Sequence, residues 1–185
     1  MLQNVRLSLV LLLICGIAYP LAMTGLSQLT MPAKASGSLI ADDKGNVIGS
    51  ELIGQSFTDP KYFTGRISSI EYNAASSGSN NYAPSNPALA ERTKEEIAAF
   101  LTANPGVRQD EIPADLLTNS GSGLDPHISP EAARVQVERI AKARNLDQAR
   151  LKALIDEYTE ERSLGVFGQP RVNVLKLNIA LDQLK

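Results

Sequence analysis

LSLVLLLICGIAYPLAMTGLSQL, residues Leu7 to Leu29, decides how the rest of the chain is read. Its 23 residues include no Asp, Glu, Lys or Arg. Coiled as a helix they cover roughly 34 Å, enough for a hydrocarbon core of about 30 Å. Residues 1–6 then form an N-terminal tail, 7–29 a transmembrane helix, 30–37 a linker around Pro32, and 38–185 a soluble domain that works beside a bilayer.

A cleaved leader is the rival reading. A short basic tail (Arg6) precedes the apolar run, and Ala33-Lys34-Ala35 has the form of a cleavage site. The run outlasts the roughly 7–15 apolar residues of a leader, and the A-x-A lies late, so an uncleaved anchor is expected. Ile14 before Cys15 argues against a lipoprotein. Arg6 on one side of the span and Lys34 and Lys44 on the other leave the positive-inside rule undecided. The leader-like form favours an inside N-terminus and an exported domain.

Cys15, Ala18, Ala22 and Gly25 recur at steps of three, four and three, so one helical face is small and is expected to meet a partner helix. Leu9, Leu12, Leu13, Ile17 and Leu21 lie on the other faces. Pro20 is expected to kink the helix.

A net charge of −2 leaves no basic surplus for nucleic acid. Aromatic residues make up 5% and Trp is absent, which argues against a stacking surface for sugars or bases. The single Cys lies in the span, so the soluble part cannot form an internal disulfide.

Residues 38–53 predict a β-hairpin turning at Lys44-Gly45-Asn46. Phe57, Tyr62 and Phe63, around the Asp59-Pro60 turn, are the expected core aromatics. Residues 72–87, YNAASSGSNNYAPSNP, have the composition of a loop held by side-chain-to-backbone bonds, with Tyr72 and Tyr82 as anchors. Tyr72, Asn73, Ser79, Asn80, Ser85 and Asn86 are its candidate contact or structural residues. Asn86 caps a helix whose buried stripe is Leu89, Ile97, Phe100 and Leu101, ended by Asn104-Pro105-Gly106.

Leu116-Leu117 reads as a short buried strand. A second loop, residues 119–127, adds the candidates Ser122, Gly123, Asp125, Pro126 and His127. It feeds a helix capped by Ser129, with Ala133, Val137, Ile140, Ala141 and Arg144 on its inner face. Asp147 caps another helix that turns Leu151, Leu154, Ile155 and Tyr158 inward. Val174, Leu177, Leu181 and Leu184 predict a helix across 170–184. The fold class is α+β: one N-terminal transmembrane helix, then a single soluble domain with a β-hairpin or small sheet and about four helices.

One His and one membrane Cys make no zinc site, and the chain has neither a nucleophile elbow nor a P-loop. No catalytic or metal residue is expected. Asp125 and His127 are the best acid–base pair, but a tight loop before a helix more readily uses such side chains on backbone amides.

Several runs together carry a resemblance: GSLI (37–40), LIGQSF (52–57), Tyr62-Phe63-x-Gly65-Arg66, Tyr72-Asn73 leading to Gly78-Ser79-Asn80 and Pro84 to Pro87, SGSGLDPHISP (120–130) and GQPRVNVLKLN (168–178). In this order, behind a single span, they resemble the C subunit of the Kdp-type potassium-transporting P-type ATPase over nearly the whole chain. Ile67 and Ser77 depart from the family's usual Pro and Gly. The resemblance implies a non-catalytic subunit of an ATP-driven potassium importer in the bacterial plasma (inner) membrane. Its implied partners are a channel-like potassium-binding subunit, a P-type ATPase subunit and a small single-span subunit. It further implies a part in assembly and a catalytic-chaperone effect on ATP affinity, with ATP met only in the complex and no cofactor bound alone. A stand-alone anchored or secreted binding domain is the alternative, and an anchored hydrolase using Asp125 and His127 a third.

Overall fold

The computed structural model describes residues 1–42 and 44–184, so Asp43, beside the expected hairpin turn, lies outside the described residues. By its contacts the chain forms two compact units, Met1–Ser50 and Glu51–Lys185.

The first unit is led by α1, Leu2–Thr30, a helix of 29 residues that contains an 18-residue stretch of mean hydropathy 2.2, long and apolar enough to cross a membrane. The disturbance expected at Pro20 takes the form of a π turn at Ile14–Ala18. The Tyr19 N–H donates to Ile14 O, five residues back. Proline has no N–H and its ring crowds the carbonyl four residues earlier, so a wider turn relieves that crowding while the backbone stays helical. The widening falls between Cys15 and Ala18. Strict α spacing therefore joins only Ala18, Ala22 and Gly25, and all four small residues are exposed.

A one-turn helix, α2 (Pro32–Ala35), occupies the linker and leads into β1 (Leu39–Ala41) and β2 (Val47–Ser50), the expected hairpin. Leu39 pairs with Ser50 and Ile40 with Gly49. Asp42 Oδ1 accepts the Lys44 and Asn46 N–H groups at 2.9 and 2.8 Å, and Gly45 turns at φ +83.

The second unit runs α3 (Pro87–Ala103), α4 (Ala114–Leu117), β3 (His127–Ile128), α5 (Pro130–Arg134), α6 (Val137–Arg144), α7 (Gln148–Glu157), β4 (Thr159–Glu160), β5 (Arg171–Asn173) and α8 (Val174–Gln183). Its antiparallel sheet has the order β3-β5-β4, with Ile128 and Thr159 both opposite Val172. Phe63, Ile128, Ile140, Leu151, Ile155, Val172, Leu177 and Leu181 form its inaccessible centre. Helix starts follow the expected caps: Asn86, Ser129 and Asp147 each accept a backbone N–H two or three residues on, at 3.0–3.1 Å.

Three elements differ from expectation. Leu116-Leu117 is not a strand but the end of α4, where Thr118 Oγ1 donates back to Ala114 O at 2.9 Å; two apolar residues carry no period, and only their burial was readable. Residues 171–173 are the central strand of the sheet, and the last helix begins only after Asn173, whose side chain accepts the Lys176 N–H at 3.1 Å. The helix expected after Ser129 is broken at Val135 and Gln136 into α5 and α6.

The break serves packing. Gln136 is fully buried: its Oε1 accepts from Thr64 N–H (2.8 Å) and Arg139 Nη2 (2.7 Å), and its Nε2 donates to Ala132 O and Thr64 O. Asn178, 2% exposed, does the same for Phe63: its Oδ1 accepts the Phe63 N–H and its Nδ2 donates to Phe63 O, both at 2.9 Å. Arg139 adds bonds to Tyr62 O (2.9 Å), Pro60 O and Asn104 Oδ1 (2.9 Å). Burial lowers its pKa, and its acceptors are all neutral.

Replacing Asn178 by Leu leaves two buried backbone groups at Phe63 unpaired, each worth about 1–3 kcal/mol. Thermal or denaturant unfolding of the full chain in detergent is expected to show a loss of about 3 kcal/mol for Asn178→Leu, and almost none for the exposed control Gln183→Leu. Equal stabilities would remove Asn178 as the brace.

Candidate functional site

The two polar loops pack on one another. Gly78 N–H and Ser77 Oγ donate to Ser122 O at 2.9 and 3.1 Å, and Ser68 Oγ donates to Gly123 O at 2.7 Å. Ser77, one of the two departures, is thus part of the junction. Glu71 and Tyr72 both have positive φ (+53 and +58), a turn braced by Ser68 Oγ, which accepts the Tyr72 N–H at 2.9 Å. That turn aims the Tyr72 hydroxyl at Arg66 O, 2.5 Å away; burial and then the Asp125 charge raise its pKa. Gly123 (φ +70) faces Ile70 so closely that a Cβ would lie 2.6 Å from its Cγ1. Gly54 N–H donates to Leu124 O, and a Cβ there would meet Asp125 O at 2.6 Å.

Asp125 sits at the centre. Its Oδ1 accepts the His127 N–H at 3.0 Å, and its Oδ2 accepts Arg66 Nη1 at 3.0 Å. Arg66 Nη2 reaches Thr118 Oγ1 at 3.3 Å and Asn119 O at 3.4 Å. Burial would raise the Asp125 pKa, but bonds from His127 and Arg66 outweigh it and hold the carboxyl at about 2. His127 Nδ1 stands 3.5 Å from Oδ1. An acid held so low stays ionised at neutral pH and is a poor proton donor. Next to the carboxylate, Asn119 links the loops outward to the helix: it accepts from Arg92 Nη1 at 2.6 Å and donates to Ser79 Oγ.

The expected residues divide into groups. Tyr72, Ser79, Ser122, Gly123, Asp125 and His127 meet in the junction, and Pro126 O accepts the Val174 N–H at 2.9 Å, tying it to α8. Asn73 and Asn86 cap a 3-10 turn and α3. Asn80 bonds Tyr82 Oη at 3.3 Å, and Ser85 is exposed. Cys15, Ala18, Ala22 and Gly25 belong to α1, in the other unit. Arg66, Ser68, Arg92 and Asn119 were missed as site residues. Gly65-Arg66 was visible as a motif, but its carboxylate partner lies 59 positions away. Beside the junction a depression of about 510 Å³ is lined by Arg66, Asp115, Asp125, His127, Ser129 and Arg171. Asp115 there accepts the Ser129 N–H at 2.7 Å.

An apolar helix long enough to cross a membrane, joined in one chain to a domain whose polar loops bond chiefly to each other, suggests the class of single-pass membrane proteins. A family model for the K+-transporting ATPase, c chain, matches residues 1–183. The potassium-transporting ATPase KdpC subunit of Bacillus cereus strain B4264 is 58% identical over 97% of this chain and 93% of its own length. The KdpC subunits of B. cereus strain Q1 and of Bacillus anthracis strain CDC 684 are 57% and 56% identical over the same shares. The chain belongs to the KdpC family of potassium-transporting ATPase subunits. It is therefore an accessory subunit rather than the catalytic one, and membership implies a complex with other Kdp subunits.

Asp125 provides a pH signature. Its folded pKa of about 2 lies below the ordinary 3.8, so its stabilisation is complete above that ordinary value and fades as pH falls towards 2. With the carboxylate 30% exposed, screening leaves roughly 1–2 kcal/mol. Asp125→Asn is expected to lower stability by that amount at pH 7 and to flatten the stability profile between pH ~4 and ~2, measured by denaturant titration at each pH. An unchanged profile would remove the ion pair from the account.

Proposed function

We propose that this chain is a single-pass subunit of the bacterial plasma membrane that serves assembly of the potassium-transporting ATPase and raises the ATP affinity of its catalytic subunit. Its partners in this reading are a channel-like potassium-binding subunit, the P-type ATPase subunit and a small single-span subunit. The observation that carries the reading is the match along residues 1–183, from the apolar helix through the loop junction to α8. The junction does not fit a triphosphate. Arg66 is engaged by Asp125, Arg92 by Asn119, and the nearby Arg171 by Glu160 at 3.0 Å. The effect on ATP therefore passes through contacts with the ATPase subunit, as a coupling between two binding events.

Titrating the purified chain into the ATPase subunit is expected to lower its KM for ATP on the order of tenfold. The intact chain, with its apolar helix retained, should copurify with the other subunits after mild detergent extraction. An unchanged KM sinks the chaperone role. A shortened, monomeric product sinks the subunit reading and revives the stand-alone binding domain.

The domain belongs outside the cytoplasm in this proposal, on the strength of the short basic tail before the apolar run. With Cys15 replaced by Ala, a cysteine at exposed Ser85 is expected to react with a membrane-impermeant maleimide in cells whose inner membrane is intact. Labelling only after lysis of that membrane would reverse the topology.

A further inference from the structure

The connection between β4 and β5 leaves the sheet at Glu160 and returns at Arg171, whose side chains meet at 3.0 Å. Beyond that closure lies a tight turn. Ser163 and Phe167 exchange both backbone bonds at 2.9 Å, around Leu164 (φ +55) and Gly165 (φ +74). A leucine in this left-handed region costs roughly 1–2 kcal/mol. The turn nonetheless holds its apolar side chains away from the domain: Leu164 is 90% exposed, Val166 72% and Phe167 65%.

These three side chains expose roughly 350 Å² of apolar surface, a size at the lower end of what on soluble domains tends to mark a contact site. That is less than half of the ~800 Å² per partner of a free-standing interface. The tip cannot hold a freely diffusing protein by itself. It suits a partner already confined beside it, because confinement to one membrane raises effective concentration without adding contact area. Charge narrows the occupant further. Glu161 and Arg162 balance within residues 161–170, and Glu160 balances Arg171 at the base, so no basic collar attracts anionic lipid.

We propose that the tip from Leu164 to Phe167 is a docking knob that fills an apolar pocket on another subunit of the same potassium-transporting complex. This rests on the subunit reading above and adds the surface through which the domain, as distinct from its membrane helix, engages a partner.

The test uses the full chain in its complex. A photoreactive benzoylphenylalanine at Val166, irradiated in native membranes, is expected to form a covalent adduct with another subunit of the complex. Leu164→Lys combined with Phe167→Lys is expected to cut the chain's recovery with the complex about tenfold, while the melting temperature of the free chain in detergent stays unchanged. Adducts with lipid only, adducts with an unrelated protein, or no adduct in a complex that contains the chain would each overturn the knob. So would undiminished recovery of the double variant. If the unmodified chain does not copurify with the complex at all, the subunit reading fails and the knob falls with it.

Discussion

The pairing of the Asn178 amide with both backbone groups of Phe63 is the constraint on which the second unit depends. Residues 51–66 form no strand and no helix, yet they carry Phe63 into the centre of the core. A buried backbone without a ladder must find its partners elsewhere. Asn178 on α8 supplies them for Phe63, and Gln136, at the break between α5 and α6, supplies them for Thr64. Two residues further on stands Arg66, so these amides also set where its guanidinium meets Asp125. Packing and loop geometry share one set of braces.

Sequence reading succeeded where the chemistry is local. Asn86, Ser129 and Asp147 bond amides two or three residues away, and the pattern of polar cap before apolar stripe contains all that is needed. It failed at β3, β4 and β5, each two or three residues long, because pairing across the sheet, not period, makes them strands. Asn178 lies beside Leu177 among the apolar residues of a helix, and its partner is 115 positions away. The same distance problem hid Arg66. The Asp125–His127 pair was legible because the two bond across a single intervening proline, and the reading that favoured a backbone amide as Asp125's partner matches the 3.0 Å bond to the His127 N–H.

The polar loops therefore mean something different from what their composition invites. Loops rich in Ser, Asn and Gly often present donors and acceptors to ligands. Here Ser68, Ser77, Ser79, Asn119 and Ser122 bond across the junction, and the close approaches at Gly54 and Gly123 leave no room for a side chain. The result is a braced body built from loops. Its ionisable centre, Asp125, is fixed as a carboxylate at neutral pH by Arg66 and His127, which suits structure and opposes proton transfer.

What such a body can do to a neighbouring subunit follows from thermodynamics. A ligand shifts a conformational equilibrium only by the difference in its affinity for the two states. A domain whose polar groups are engaged internally has little chemistry to offer a nucleotide, so the proposed function requires instead that it bind one conformation of a partner subunit better than another. Rigidity helps, because a compliant body would adapt to both conformations and erase the difference. In the proposed function the braces at Phe63, Thr64 and Asp125 would therefore have a consequence beyond stability: they would preserve the shape on which a coupling between two binding events depends.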